Sequence, residues 1–306
     1  MNNWSYSVVY TLLGPKDSST TRYVYFTCIL FLYMLIMSVN ISLCTVIIMV
    51  RVLHKPMYIF ICNLCINGIF GAAGFYPKFL SDLLEGSYVI SSYMCALQTF
   101  VIYSAVLCEY TTLTVMAYDR YVAICRPLDY HSILTKYVCA KLILFSWSLP
   151  VVSMIIALIL SNWKPSCGSF IDKLYCDNWS IVKLSCASSL SSNVYGFIVI
   201  FIYFGFAVFV IVSYVRLIRA CRVSLESRKK FWQTCVPHLL SMVNFAAASF
   251  FDTMYSRYGS NNVPQNVRNF LALEMVVVPP LFIPLIYGLK LKEIRHQVQR
   301  FFWGKH

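Results

Sequence analysis

Hydrophobic residues in this chain run in long uncharged blocks rather than in short periodic stripes. Bounded by their flanking charges, seven blocks stand out: Arg22 to Arg51, Lys55 to Lys78, Glu85 to Asp119, Lys141 to Lys164, Lys183 to Arg216, Lys230 to Asp252 and Arg268 to Lys290. Five interiors carry no charge; the third contains Glu109 and the seventh Glu274. Each interior has 21 or more residues, and about 20 cross the hydrocarbon core as a helix. Only helices and closed barrels satisfy their backbone in lipid. Barrel strands alternate polar and apolar positions, whereas Ile198-Val199-Ile200-Phe201-Ile202 is apolar on every side. The pattern predicts an all-α membrane protein, a seven-transmembrane helix bundle over residues 23–289. Residues 1–22 precede it as an extracellular segment, and 290–306 follow as a cytoplasmic tail. In that tail Leu291, Ile294, Val298 and Phe301 recur at helical spacing, with Lys292, Arg295 and Arg300 elsewhere. An amphipathic helix on the anionic inner leaflet is expected.

Composition supports the membrane reading. The chain is 59% hydrophobic and 12% charged, against about 45–50% and 25% for soluble domains. Placing the N-terminus outside puts 17 of the 25 Lys and Arg on the cytoplasmic side and 8 outside, as the positive-inside bias requires. The basic balance therefore reports an inner membrane face and not nucleic-acid binding. Residues 1–22 are polar and mixed, so no cleavable signal peptide is expected.

Of 13 cysteines, four fall at the outer face: Cys95 at the start of span 3, and Cys167, Cys176 and Cys186 in the loop before span 5. Four cysteines allow three pairings, and the exterior is oxidising. No His lies in that loop, so zinc is not expected. Asn3-Trp4-Ser5 and Asn178-Trp179-Ser180 are outward-facing glycosylation acceptors. No metal-ligand cluster, phosphate loop or catalytic constellation occurs, and an enzyme is not expected. A transporter would show internal repeats or paired broken helices, which the two halves lack.

Residues 116–131 read MAYDRYVAICRPLDYH. This stretch closely resembles the signature of odorant receptors, a branch of the rhodopsin-like G-protein-coupled receptors. The likeness runs along the chain: Asn40 in span 1, Leu53-His54-Lys55-Pro56-Met57-Tyr58 before span 2, Pro77-Lys78 at its end, the three loop cysteines, Asn193-Val194-Tyr195-Gly196 opening span 5 and Ser213-Tyr214 closing it. Thr234-Cys235-Val236-Pro237-His238-Leu239 and Pro284-Leu285-Ile286-Tyr287 match spans 6 and 7. Gly74-Phe75-Tyr76-Pro77-Lys78-Phe79 and Ser256-Arg257-Tyr258-Gly259-Ser260 look more like fish members.

The resemblance implies a multi-pass plasma-membrane receptor of the olfactory cilia. It would bind a small odorant in the outer half of the bundle and activate a stimulatory heterotrimeric G protein to raise cyclic AMP. A rhodopsin-like receptor for a metabolite, lipid or peptide is the alternative within the fold. The resemblance also implies Cys95–Cys176 and Cys167–Cys186 bridges. It places G-protein coupling at Asp119, Arg120 and Tyr121, and the ligand among Ile102, Tyr103, Val106, Leu107, Phe245, Ser249 and Phe250. No cofactor is expected, save a sodium ion or a proton at Glu109.

The departures narrow the ligand and the switch. The span 2 position that usually carries an acid is Gly68, beside Asn67, and the span 7 asparagine is Ile283. Glu109 then stands alone as the central acid, and an intramembrane acid is functional by default. Span 7 has no Lys for a retinal Schiff base, and Ile102 stands where amine receptors carry an Asp. Arg228-Lys229-Lys230 replaces a span 6 acidic lock, leaving Glu226 as a weak substitute. Phe245-Ala246 replaces the usual hinge pair, so Pro237 becomes the candidate kink.

Overall fold

The computed structural model describes residues 9–15, 18–162, 165–186, 190–220, 225–258 and 264–303, with the side chains of 220–238 and a few positions near the C-terminus left aside. Asn3 lies outside the described residues, as do the side chains of Glu226, Arg228, Lys229, Lys230 and Pro237.

Seven long helices form the bundle: α1 (Ser19–Met49), α2 (Pro56–Glu85), α3 (Ser92–Cys125), α5 (Lys136–Asn162), α7 (Leu190–Ala220), α8 (Leu225–Tyr258) and α9 (Gln265–Lys290). Among the described residues six are long and apolar enough to cross a membrane. The seventh span falls on α8, whose 34 residues include the charged Arg228-Lys229-Lys230 run. The helix starts follow local chemistry. Ser18 accepts from the Thr21 amide at 3.4 Å, and Ser91 caps α3 through the Met94 amide at 3.3 Å. Pro56 occupies the first turn of α2, where its missing N–H costs nothing. Gly86 ends that helix at φ +70°, a conformation only glycine adopts freely.

The burial pattern is inverted relative to a soluble protein. Phe31, Leu144 and Phe201 are exposed on α1, α5 and α7, while Asn40, Asn63, Asn67, Thr111 and Thr112 are buried. The exposed apolar side chains face where lipid would lie. The buried polar ones join helices: Asn40 Nδ2 donates to the Pro280 carbonyl at 2.7 Å, and Asn67 Nδ2 to the Ala105 carbonyl at 2.9 Å. Asn63 Nδ2 donates to Thr112 Oγ1 at 3.0 Å, and its carbonyl oxygen accepts from Trp147 Nε1 at 2.8 Å. Thr111 Oγ1 donates to the Ser146 carbonyl at 2.8 Å. With no competing water, such bonds hold membrane helices together.

A small outer sheet was not legible in the sequence. β1 (Val9–Leu12) pairs antiparallel with β2 (Val89–Ser91) and parallel with β3 (Phe170–Ile171). Tyr10 and Leu12, two positions apart, share the one buried face of β1 and pack with Ile90, Ile171 and the Cys95–Cys176 bridge. A second bridge joins Cys167 to Cys186. The short α6 (Asn178–Lys183) completes this outer layer. On the inner side α4 (Tyr130–Ile133) lies between α3 and α5, and α10 (Lys292–Trp303) ends the described chain. Leu291 and Ile294 are buried and Val298 packs on the same core, leaving Phe301 exposed. The apolar stripe of the tail is thus shared: its start closes the bundle, and only its end is left for the leaflet.

Spans 2 and 3 meet at a glycine. A Cβ on Gly74 would come within 2.8 Å of Val101 Cγ1 and 3.0 Å of Val101 Cβ. A β-branched valine on a helix has little rotamer freedom to yield. Gly74→Ala should therefore cost about 1–3 kcal/mol of stability through overpacking, read as a lower melting midpoint of the purified protein; an unchanged midpoint contradicts the close approach.

Candidate functional site

The outer half of the bundle encloses a cavity of about 150 Å³ between α3, α5, α7 and α8, roofed by the loop that carries α6. Its walls are mostly apolar, with Val106, Leu107, Met154 and Val199 among them. Tyr103, Val106, Leu107, Ser249 and Phe250 of the sequence-derived set line it. Ile102 instead lines a smaller inner cavity beside Glu109. Phe245 is 1% exposed and lies beneath, its ring 4.9 Å from that of Tyr110.

Two contacts tie α3 to α8 at this level. The Tyr110 and Ser249 hydroxyls share a short hydrogen bond, and Tyr103 OH donates to Asp252 Oδ2 at 3.3 Å. Tyr110, Asp252, Asp177, Trp179 and Arg257 were not among the sequence-derived site residues. Asp252 was visible only as the charge that ends a span. Its partner is Lys173, in the outer loop: Lys173 Nζ donates to Asp252 Oδ1 at 2.9 Å and Oδ2 at 3.1 Å, and stands 3.7 Å from Asp177 Oδ2. Burial pulls the Lys173 ammonium down, but Asp177 and Asp252 outweigh it and hold its pKa above the ordinary 10.5. A raised lysine contributes stability below its unfolded pKa and loses it as pH rises through the folded one, so the pair keeps its full effect at neutral pH. Asp252 also borders an outer chamber of about 240 Å³ lined by Lys173, Lys183 and Arg268. Asp252 thus lines both that chamber and the cavity between α3, α5, α7 and α8.

Glu109 lies midway down the bundle, 7% exposed, and its Oε1 has no hydrogen-bond partner among the described residues. It faces a cavity of about 30 Å³ with Asn67, Gly68, Gly71 and Pro280. Asn67 Oδ1 is likewise unpartnered.

At the inner end Asp119 is 1% exposed. Arg120 donates to it through Nε at 2.8 Å and through Nη2, and Tyr130 OH donates to Oδ1 at 2.8 Å. Burial first, then the Asp119 charge, pushes the Tyr130 phenol up, so it stays protonated as a donor. Tyr130 of α4 is thus the second donor to Asp119 beside Arg120. Tyr130 was quoted in the motif but assigned no contact there. Tyr121 is half-buried against the core. Asn178 is half-buried and its Oδ1 accepts from Ser161 at 2.8 Å, a contact that a glycan there would have to displace.

Removing one partner of a buried ion pair strands the other, at a cost of about 3–5 kcal/mol. Asp252→Asn should lower the melting midpoint accordingly, and the double change Lys173→Met with Asp252→Leu should recover most of the loss. If Asp252→Asn melts with the parent, the pair does not hold the roof.

Residues 28–305 match the family model described as "Olfactory receptor". Mouse "Olfactory receptor 6E1" is 31% identical over 290 residues, covering 94% of this chain and 92% of its own length. Human "Olfactory receptor 52N4" is 34% identical over 257 residues, covering 82% and 80%. In fold, the chain is similar to squid rhodopsin, with a TM-score of 0.70 at 15% identity over 96% of this chain and 91% of that one. The family is one of multi-pass plasma-membrane receptors, not enzymes. Matching from the first span to the end of the tail, this chain belongs to the olfactory receptor family.

Proposed function

We propose that this receptor binds a small odorant in the outer cavity and, through its inner face, activates a stimulatory heterotrimeric G protein that raises cyclic AMP. The observation that carries the reading is the cavity itself: apolar, roofed by a bridged loop, and walled by two helices that are hydrogen-bonded to each other across it. A cavity of about 150 Å³ limits the ligand to a small molecule. A ligand shifts the receptor only by binding one state more tightly than the other. One that contacts Tyr103 and Tyr110 on α3 together with Ser249 and Phe250 on α8 gains or loses those contacts when α8 moves. Outward movement of α8 at the inner end would free Arg120 from Asp119 for the G-protein C-terminus, with Tyr121 beside it. Pro237 is the proposed kink. Olfactory cilia are the proposed location, and Asn3 and Asn178 the proposed glycan acceptors.

Glu109 is proposed to hold a sodium ion or a proton. Two unpartnered carbonyl and carboxylate oxygens, Asn67 Oδ1 and Glu109 Oε1, border a space of about 30 Å³, and hard cations take oxygen ligands. A bound charge there would favour the packing in which both oxygens face it.

Arg120→Ala should abolish the cyclic-AMP response while surface level and ligand-induced thermal stabilisation persist; retained output removes Arg120 from the coupling role. Glu109→Gln should change basal output or agonist potency and remove any sodium dependence of that potency. If surface expression, basal activity and agonist response all match the parent, Glu109 has no switching role.

A further inference from the structure

The outer end of the cavity carries three polar atoms that nothing among the described residues satisfies: Asp177 Oδ1, Trp179 Nε1 and Arg257 Nε. All three residues line the same cavity. They are also neighbours. Asp177 precedes α6 and Trp179 lies in its first turn, and the Arg257 guanidinium sits 4.4 Å from the Trp179 ring centroid.

Each group is held in place by its other atoms. Asp177 is 2% exposed, and its Oδ2 accepts from the Ser180 amide at 3.3 Å and stands 3.7 Å from Lys173 Nζ. Arg257 Nη1 donates to Asn193 Oδ1 at 2.6 Å, and its guanidinium also faces the Phe197 ring at 4.7 Å. The three side chains are therefore positioned by the fold, yet each keeps one atom unsatisfied. Buried polar atoms without partners are uncommon in native proteins and call for a reason.

Their chemistry is complementary. The unsatisfied acceptor belongs to a carboxylate, which suits a cationic N–H. The unsatisfied donors belong to a guanidinium and an indole, which suit an anionic oxygen. A ligand with only one charge would leave the opposite side unmet, and a neutral ligand would leave both. We infer that the ligand class of this receptor is the zwitterion that carries ammonium and carboxylate on one carbon: an α-amino acid with an apolar side chain. Its ammonium lies at Asp177 and its carboxylate at Arg257 Nε and Trp179 Nε1. Its side chain enters the apolar part formed by Val106, Leu107, Met154 and Val199. Adjacent opposite charges in the ligand match adjacent opposite charges in the wall, and the walls below are apolar enough to reward the side chain. The inference rests on the reading that this cavity is the receptor's ligand site.

Cells expressing the full chain, a stimulatory G protein and a cyclic-AMP reporter are challenged with leucine, methionine and phenylalanine. The decarboxylated amine and the deaminated acid of each are tested alongside. The amino acids should act at concentrations roughly tenfold or more below both counterparts, because a site built to pair a polar group rejects the analogue lacking it. Asp177→Asn keeps an asparagine cap for the Ser180 amide. It should weaken the leucine response roughly tenfold or more and leave the acid counterpart unaffected; Arg257→Gln should weaken leucine and spare the amine. A merely structural role would weaken all three compounds alike, and that result overturns the inference. So does equal or better potency of the amine, the acid or a neutral odorant, while the receptor reading stands. If the reporter stays silent to every compound, the purified chain in detergent is melted with each. A rise in midpoint with the amino acids alone supports the ligand class and removes the signalling reading; no rise with any of them overturns the ligand class as well.

Discussion

In lipid, a buried polar side chain that finds no partner inside the bundle finds none at all, and that constraint organises this protein around α3. Interhelical bonds that end on it include Asn63 to Thr112, Asn67 to the Ala105 carbonyl, Thr111 to the Ser146 carbonyl, Tyr110 to Ser249 and Tyr103 to Asp252. The first two fix α2, the third fixes α5, and the last two fix α8. Because these bonds are distributed along the length of α3, α2, α5 and α8 cannot shift against it without exchanging at least one. Apolar packing alone would allow a helix to slide against lipid-like surroundings at little cost.

The same helix joins the two ends of the receptor. Tyr103 and Tyr110 reach the cavity, Glu109 the small central space and Asp119 the inner cluster. From Glu109 to Arg120 is about three helical turns. Among the described residues the α8 bonds to α3 named above both lie at the cavity level, so a ligand there acts directly on contacts that locate α8. The roof adds a second constraint from outside. Lys173 reaches Asp252 from a loop that Cys95–Cys176 pins to the top of α3. Movement of α8 and movement of the roof are therefore coupled through this ion pair, together with the Arg257–Trp179 contact and the Lys183 bond to the Ser256 carbonyl.

Much of this was legible in the sequence, and the rest fails for physical reasons. The seven spans and the tail helix follow from charge spacing and from helical periodicity. The two bridges follow from the family resemblance. The outer sheet was missed because Val9–Leu12 is four residues long and carries no signal above its surroundings. Lys173 and Asp252 are 79 positions apart, and no local pattern tells which charge a loop lysine will reach. Tyr103 and Ile102 are adjacent on α3 yet line different cavities, a distinction set by helix rotation rather than by residue type. Tyr130 became a donor to Asp119 only because α4 folds under α3.

Gly68 and Ile283 read in the sequence as losses from the usual polar centre, and the packing explains them differently. A Cβ on Gly68 would lie 3.2 Å from Asn40 Oδ1 and 3.3 Å from the Pro280 Cβ, so α1, α2 and α9 close on this glycine and leave little room for a carboxylate. Asn40 is held at that crossing by its bond to the Pro280 carbonyl, and Ile283 is buried further along α9. The crossing therefore holds no carboxylate, and the acid beside it is Glu109 on α3, which shares a small space with Asn67 of α2. The central acid thus sits on the helix that also carries cavity residues and Arg120. Any charge or proton bound at Glu109 acts on α3 directly, without a further interface to transmit it.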